Sequence, residues 1–102
     1  LKCMETFLYK PDIKIEWRIH ALQQMSIRNI HRLDVLDVLK TGEVIESYPD
    51  DTPYPSFLLC GFNNGRPLHI VIAHAHRQNT LYVVTAYEPD CIKWKNNYRR
   101  RI

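Results

Sequence analysis

The chain has 102 residues, 45% of them hydrophobic, with fourteen Lys and Arg against eleven Asp and Glu for a formal net charge of +3. This length predicts a single domain over 1–102, because one hydrophobic core normally serves a chain of this size, and the apolar share is too high for a disordered tail. No apolar run reaches the ~18 residues of a membrane span and the N-terminus shows no signal-peptide pattern, so no membrane partner is expected and a cytoplasmic location is.

The charge is uneven. Lys93, Lys95, Arg99, Arg100 and Arg101 fall in the last ten residues with no acid among them, which leaves nine bases against eleven acids, a net of −2, for the body. A neutral-to-acidic body with a basic end points to a polyanion contact near that end, although a solvated terminus accounts for the charge equally well. The three cysteines, Cys3, Cys60 and Cys91, are odd in number and contain no C-x-x-C pair. That argues against a zinc ribbon and a disulfide framework, and Cys60 reads as a small hydrophobe inside a strand.

From Asp12 to Arg28, Ile15, Ile19 and Leu22, together with Trp17, Ala21 and Met25, recur at helical steps after Pro11-Asp12, predicting an amphipathic helix. His20, Gln24 and Arg28 line one edge of it. A second helix follows, with Leu33, Leu36 and Leu39 as its buried row, Val35 and Val38 beside them, and Gly42 ending it. The period then changes, and four strands are expected over 43–48, 56–62, 67–75 and 81–87. Asn64-Gly65 is a two-residue hairpin signal that pairs Cys60 with His69 and Leu58 with Val71. After Glu88-Pro89-Asp90, residues 91–102 are expected to form a short helix capped by Asp90, with Trp94 and Tyr98 one turn apart. Pro49, Pro53 and Pro55 read as a stiff corner between strands, since neither flanking segment buries its own core. Asp50 and Asp51 lack the further oxygen ligands of a cation loop and are expected to serve that corner, with a salt bridge to an arginine such as Arg28 or Arg66. The architecture expected is α+β, two N-terminal helices on a four-stranded antiparallel sheet with a short C-terminal helix.

Among the histidines, His31 and His76 read as solvated. His74 and His76 have a spacing that can bind zinc, but no third ligand is near, so they too read as surface groups. His69 interrupts an apolar strand, as a hydrogen-bonded core residue or as one opening onto a site. Whether Tyr87 or Glu88 shares its face depends on the loop from Arg77 to Thr80. A helix edge offering His20 and Arg28 against a sheet offering His69 and Tyr87, near a basic end, suits phosphate chemistry: arginine holds phosphate by paired hydrogen bonds, and histidine or tyrosine moves protons.

His20-Ala21 followed by Met25 and Arg28, then GEVIE, YP, PYPS, GRPLH and YEPD closing on Trp94, resemble a small prokaryotic family, the domain of unknown function forty-two fifty-eight, over roughly residues 18 to 95. The family is thought to be related to the RelE, BrnT and MqsR type toxins of toxin–antitoxin pairs. The resemblance implies a compact α+β domain that cuts mRNA without a metal or other cofactor, the RNA 2′-hydroxyl attacking its own phosphate. On that reading His20, Arg28, His69 and Tyr87 are the candidate catalytic residues. Lys93, Lys95, Arg99, Arg100 and Arg101 track RNA, free or on the ribosome, and an antitoxin protein is the second partner. Two positions depart from the family pattern, Gln24 where an arginine is usual and Asn29 where a glycine is. The loss of a cation supports the rival reading, a catalytically inactive binding module for protein or RNA; a zinc-binding regulator using His74, His76 and a cysteine is more remote.

Overall fold

The computed structural model of the protein describes residues 9–102, so Cys3 lies outside the described residues. The chain runs β1 (Lys14–Trp17), α1 (Ile19–Ile27), α2 (Arg32–Thr41), β2 (Glu43–Tyr48), β3 (Ser56–Asn63), β4 (Arg66–Ala75), a 3-10 turn (His76–Gln78), β5 (Thr80–Tyr87), β6 (Trp94–Lys95) and β7 (Arg100–Arg101). Five strands make one mixed sheet in the order β1-β5-β4-β3-β2, with β1 parallel to β5, and β6 pairs with β7 in a separate ribbon. The expectation of two helices on a four-stranded antiparallel sheet with a C-terminal helix is therefore corrected at both ends of the chain.

At the first end, the long helix expected from Asp12 begins only at Ile19. The stretch IKIEW satisfies two periods at once: Ile15 and Trp17 each begin a helical row, but Ile13, Ile15 and Trp17 also alternate with Lys14 and Glu16. β-branched residues favour the pleated choice, and pairing with β5 in the register Lys14↔Thr80 to Trp17↔Val83 satisfies the backbone. Arg18 stays extended (φ −67°, ψ 141°) and α1 starts after it. Its buried row is Ala21 and Met25, whereas Ile19 is 74% exposed.

At the other end, Asp90 caps one turn, its Oδ1 accepting from the Ile92 N–H at 2.9 Å, but no helix follows. Asn96, Asn97 and Tyr98 take φ of 53°, 59° and 70°, a left-handed run that no right-handed helix contains. It turns the chain back so that Trp94 pairs with Arg101 and Lys95 with Arg100. Long-range contacts favour that turn: Arg99 Nε reaches Glu43 at 2.7 Å and Arg101 Nε reaches Glu46 at 2.8 Å, both carboxylates standing on β2.

Between these ends, the four strands over 43–87 lie where the alternation puts them. Asn64 (φ 53°) and Gly65 (φ 79°) form the turn, and β3 pairs with β4 as Cys60↔His69 and Leu58↔Val71. Gly42 ends α2 as expected, although extended (ψ 179°) rather than left-handed. A Cβ there would stand 2.7 Å from the Val38 carbonyl oxygen and 2.9 Å from that of Cys60, so close approach explains the glycine. In α2 the buried row is Val35, Val38 and Leu39; Leu33 is 77% exposed. Both helices cover one face of the sheet, around Leu59, Leu68, Ile70, Ile72, Leu81 and Val83. In the proline corner Asp51 accepts from the Ser56 hydroxyl. Among the described residues neither Asp50 nor Asp51 makes the expected arginine pair.

Candidate functional site

Residues paired across strands share a face, so the second face of the sheet carries Glu43, Glu46 and Tyr48 from β2, Leu58 and Cys60 from β3, His69 and Val71 from β4, and Tyr87 from β5. The parity left open by the sequence is resolved by the register His69↔Tyr87. The C-terminal segment crosses this face and closes over His69, which is 0% exposed. The Trp94 ring stands edge-on to the imidazole, 4.5 Å between centroids at 87°. His69 Nε2 lies 2.7 Å from the Tyr98 carbonyl oxygen and Nδ1 lies 3.2 Å from the Tyr87 hydroxyl.

These contacts fix the tautomer. A carbonyl oxygen only accepts, so Nε2 carries the proton, and in the neutral ring Nδ1 is left to accept from the Tyr87 O–H. Burial lowers the His69 pKa below its ordinary value, opposed by the Tyr98 carbonyl and the Glu46 carboxylate, which favour the charged ring. Burial likewise raises the Tyr87 pKa, so its phenol keeps its proton at neutral pH. Glu46 itself is held below its ordinary value, chiefly by its hydrogen bond with Arg101.

Tyr87 opens onto a cleft of about 630 Å³ at the end of the sheet. Arg28, Arg66, Lys93 and Arg101 line it with Tyr87 and Trp94, and Glu88 and Asp90 are the acids at its edge. Arg28 ends α1 and donates through Nη1 to the Ala86 carbonyl at 2.8 Å and to Gln24 Oε1 at 3.3 Å. Arg66 emerges from the hairpin turn, pairs with Glu88 at 2.9 Å, and donates to the carbonyls of Arg28 and Asn29 at 2.8 Å each, satisfying the orphan acceptors at the end of α1. Arg28 and Lys93 make no ion pair among the described residues.

The residues singled out in the sequence thus divide. Arg28, Tyr87, Lys93 and Arg101 meet in the cleft, and His69 stands behind Tyr87. His20 is exposed and outside it, eight residues before Arg28 and about 12 Å along the helix axis. His20 and His69 stand on opposite sides of the sheet. Lys95 and Arg100 are exposed on the ribbon, whereas Arg99 is taken up by Glu43. Arg66 and Trp94 carry no site role in the sequence reading, and Glu88 and Asp90 enter it only within the family segment that begins at Tyr87. The hairpin arithmetic that pairs Cys60 with His69 also puts Arg66 at the same end of the sheet, and that was the available signal. His74, read as a surface group, is 9% exposed. The described residues contain no group of three metal-ligating side chains and no helix long and apolar enough to cross a membrane.

Comparisons with curated proteins and with solved structures return no match. A family model does match, over residues 17–88, which takes in Arg28, Arg66, Tyr87 and Glu88 of the cleft but stops short of Asp90, Lys93, Trp94 and Arg101. The chain belongs to the family described as Domain of unknown function (DUF4258).

Proposed function

We propose that the protein is a metal-independent endoribonuclease of the toxin type, cutting RNA in the cleft beside Tyr87. The observation that carries this reading is a tyrosine hydroxyl with its proton committed to a buried histidine, facing Arg28 and Lys93, two cations without acidic partners among the described residues. Such a cleft suits a phosphodiester: Arg28 and Lys93 hold the non-bridging oxygens and balance the charge that builds up on them.

The relay runs through the tautomer. As the RNA 2′-oxygen attacks phosphorus, its proton passes to the Tyr87 oxygen while the Tyr87 proton passes to His69 Nδ1. The imidazolium so formed is stabilised by the Tyr98 carbonyl and by Glu46, which lies within electrostatic reach. The O2′–P bond forms and the P–O5′ bond breaks, leaving a 2′,3′-cyclic phosphate, and the departing 5′-oxygen takes a proton from the Lys93 ammonium. Tyr87 is then the catalytic residue and His69 acts through it; His20 has no part. An antitoxin restrains the enzyme by covering the cationic cleft.

The second reading, a binding module without catalysis, is favoured by Gln24. Its Oε1 accepts from Thr85 at 2.9 Å and from Arg28 at 3.3 Å, so it braces Arg28 instead of adding a cation. Incubation of end-labelled single-stranded RNA with the protein in excess EDTA separates the two. The enzyme reading expects cyclic-phosphate ends, no cut at a 2′-deoxy linkage, and a fall of about 10²–10⁴-fold in Tyr87→Phe. RNA that is retained but stays intact supports the module, and cleavage undiminished in Tyr87→Phe removes the relay.

A further inference from the structure

Tyr82 stands on the same face of the sheet as Tyr87, away from the cleft. Ala73 pairs with Tyr82 and His69 with Tyr87, and Ala73 and His69 are four residues apart on β4, so all four side chains point to one side. The bulge in β5 is what lets two tyrosines five apart share a face. Four residues of β4 put Tyr82 about 13 Å from Tyr87 along the strand. β1 brings Arg18 to the same place. Glu16 pairs with Tyr82, and Arg18, two residues further on, lays its guanidinium 4.8 Å from the centre of the Tyr82 ring.

Arg18, Tyr82 and Tyr54 form one column. In the sheet order β1-β5-β4-β3-β2, Arg18 reaches the Tyr82 ring from the β1 side, and Tyr54, which precedes β3, reaches it from the other. The two phenol rings are 5.7 Å apart between centroids and 7° from parallel. Gln78 holds both, its Nε2 donating to the Tyr54 hydroxyl at 3.0 Å and its Oε1 accepting from the Tyr82 hydroxyl at 3.3 Å. The proline corner thus does more than turn the chain, because it delivers Tyr54. The outer end of the column is Arg18. Its side chain is exposed, caps no helix N–H, and makes no ion pair among the described residues. Glu16, on the same face, is bonded to Lys14 at 3.0 Å. No Asp or Glu occurs between Glu16 and Asp34 or between Tyr82 and Tyr87, so neither α1 nor β5 sets a negative charge between Arg18 and the cleft. A guanidinium held flat on a ring keeps its second plane for another ring and its N–H edge for a phosphate.

We infer that the Arg18–Tyr82 column is a second subsite for single-stranded RNA: a base stacks on the free plane of the Arg18 guanidinium, and the strand runs beside β5 and α1 to the phosphate between Arg28 and Lys93. This rests on the reading above that RNA occupies the cleft, and it adds the length and the conformation of the RNA taken. A stacked strand advances about 3.4 Å per nucleotide and an extended one about twice that, so 13 Å is about two to four nucleotides. A dinucleotide in the cleft therefore does not reach Arg18, and a strand of about eight does. A duplex, its bases already stacked on one another, offers no free face.

NMR titration of the full chain, following the backbone amides and the Arg18 Nε–H signal, tests this with 2′-O-methyl RNA. A methylated 2′-oxygen has no proton to lose, so the strand is bound without being cut. Single-stranded dinucleotides and octanucleotides of mixed sequence are compared on the parent, Arg18→Ala and Arg18→Lys. The octanucleotide is expected to move the Arg18 signal and the dinucleotide to leave it in place. Arg18→Ala should weaken the octanucleotide about tenfold without changing the dinucleotide, and Arg18→Lys should recover little, since it keeps the charge but not the plane. Equal melting temperatures show that the loss is not unfolding. Octanucleotide affinity in Arg18→Ala within about twofold of the parent, full recovery in Arg18→Lys, or no octanucleotide binding at all overturns the inference. If unmodified RNA is cut in a Tyr87-dependent way while Arg18→Ala binds as the parent does, the nuclease reading stands and the subsite fails. If RNA is held through Arg18 and never cut, the nuclease reading fails and the subsite stands.

Discussion

His69 ties the C-terminal segment to the sheet, and replacing it in two ways separates anchoring from chemistry. In His69→Ala the Tyr98 carbonyl and the Tyr87 hydroxyl lose their partner and a void opens beneath Trp94. The unmet groups cost about 1–2 kcal/mol, the lower part of the usual range because Tyr98 and Tyr87 are only half-buried and water reaches them. The void adds roughly 2–3 kcal/mol, as large-to-small changes at fully buried positions do. A total of about 3–5 kcal/mol lowers the melting temperature of a domain this size by roughly 15–30 °C. His69→Gln is expected to behave differently. Its Nε2 amide can donate to the Tyr98 carbonyl and its bulk fills most of the space, so the cost stays near 1–2 kcal/mol, while the basic ring nitrogen that could take the Tyr87 proton is lost. Thermal unfolding followed by tryptophan fluorescence gives the stability. Limited trypsin digestion reports release of the C-terminal segment, which carries five Lys and Arg between 93 and 101. A His69→Ala protein that melts within about 5 °C of the parent, with the C-terminal segment no easier to cut, refutes the anchoring role.

Three further outcomes follow from the same geometry. His69 and His74 both have folded pKa values below the ordinary ~6.5; below that pH the unfolded chain binds protons that the native chain does not, so stability is full above it and falls as the pH drops, by up to ~1.4 kcal/mol per pH unit for each histidine until its folded pKa is passed. Melting curves between pH 7.5 and 5 measure the slope, and His69→Gln should make it shallower. A Cβ on Gly61 would stand 3.0 Å from both methyl carbons of Val38, so Gly61→Ala should cost about 1–3 kcal/mol through overpacking and be partly restored by Val38→Ala, as urea denaturation of the four members of that cycle would reveal. If Lys93 contacts an RNA phosphate, Lys93→Ala should reduce the slope of log affinity against log salt by about 0.7, and because Lys93 is exposed, stability should change by less than about 0.5 kcal/mol.

How much of this was legible depends on the range of the contacts involved. The β3–β4 hairpin was readable to the residue because Asn64-Gly65 fixes a two-residue turn and period-two alternation does the rest. The partner of His69 on β5 was not readable. The return passes through a 3-10 turn, a left-handed Asn79 (φ 49°) and a bulge, since Val71 pairs with Thr85 and Ile72 with Val83, leaving Val84 over. A bulge of one residue reverses which of Tyr87 and Glu88 faces His69. β1 was hidden because its hydrophobic positions satisfy both periods and its partner lies more than sixty residues away. The ribbon was hidden because its anchors, Glu43 for Arg99 and Glu46 for Arg101, lie 56 and 55 residues back, while Trp94 and Tyr98 are a helical turn apart in sequence but sit on opposite sides of a left-handed reversal.

The basic end illustrates what a charge count omits. Five cations in ten residues read as one polyanion surface, yet the fold divides them by what they touch. Arg99 and Arg101 are bonded to Glu43 and Glu46, and their aliphatic and planar parts lie near Phe62 and Trp94, so they hold the ribbon down. Those pairs are partly exposed and each is worth under ~1 kcal/mol, which makes their larger consequence positional: they keep Trp94 and the Tyr98 carbonyl over His69. Without that carbonyl neither ring nitrogen would be committed, and water would reach the imidazole and compete for Tyr87. Lys93 stands before the ribbon and has no acidic partner among the described residues, so its charge remains for the phosphate that the proposed reading puts in the cleft. On the reading proposed above, the ion pairs of the tail therefore bear on the chemistry at Tyr87 indirectly, by fixing a proton on the far side of a buried ring.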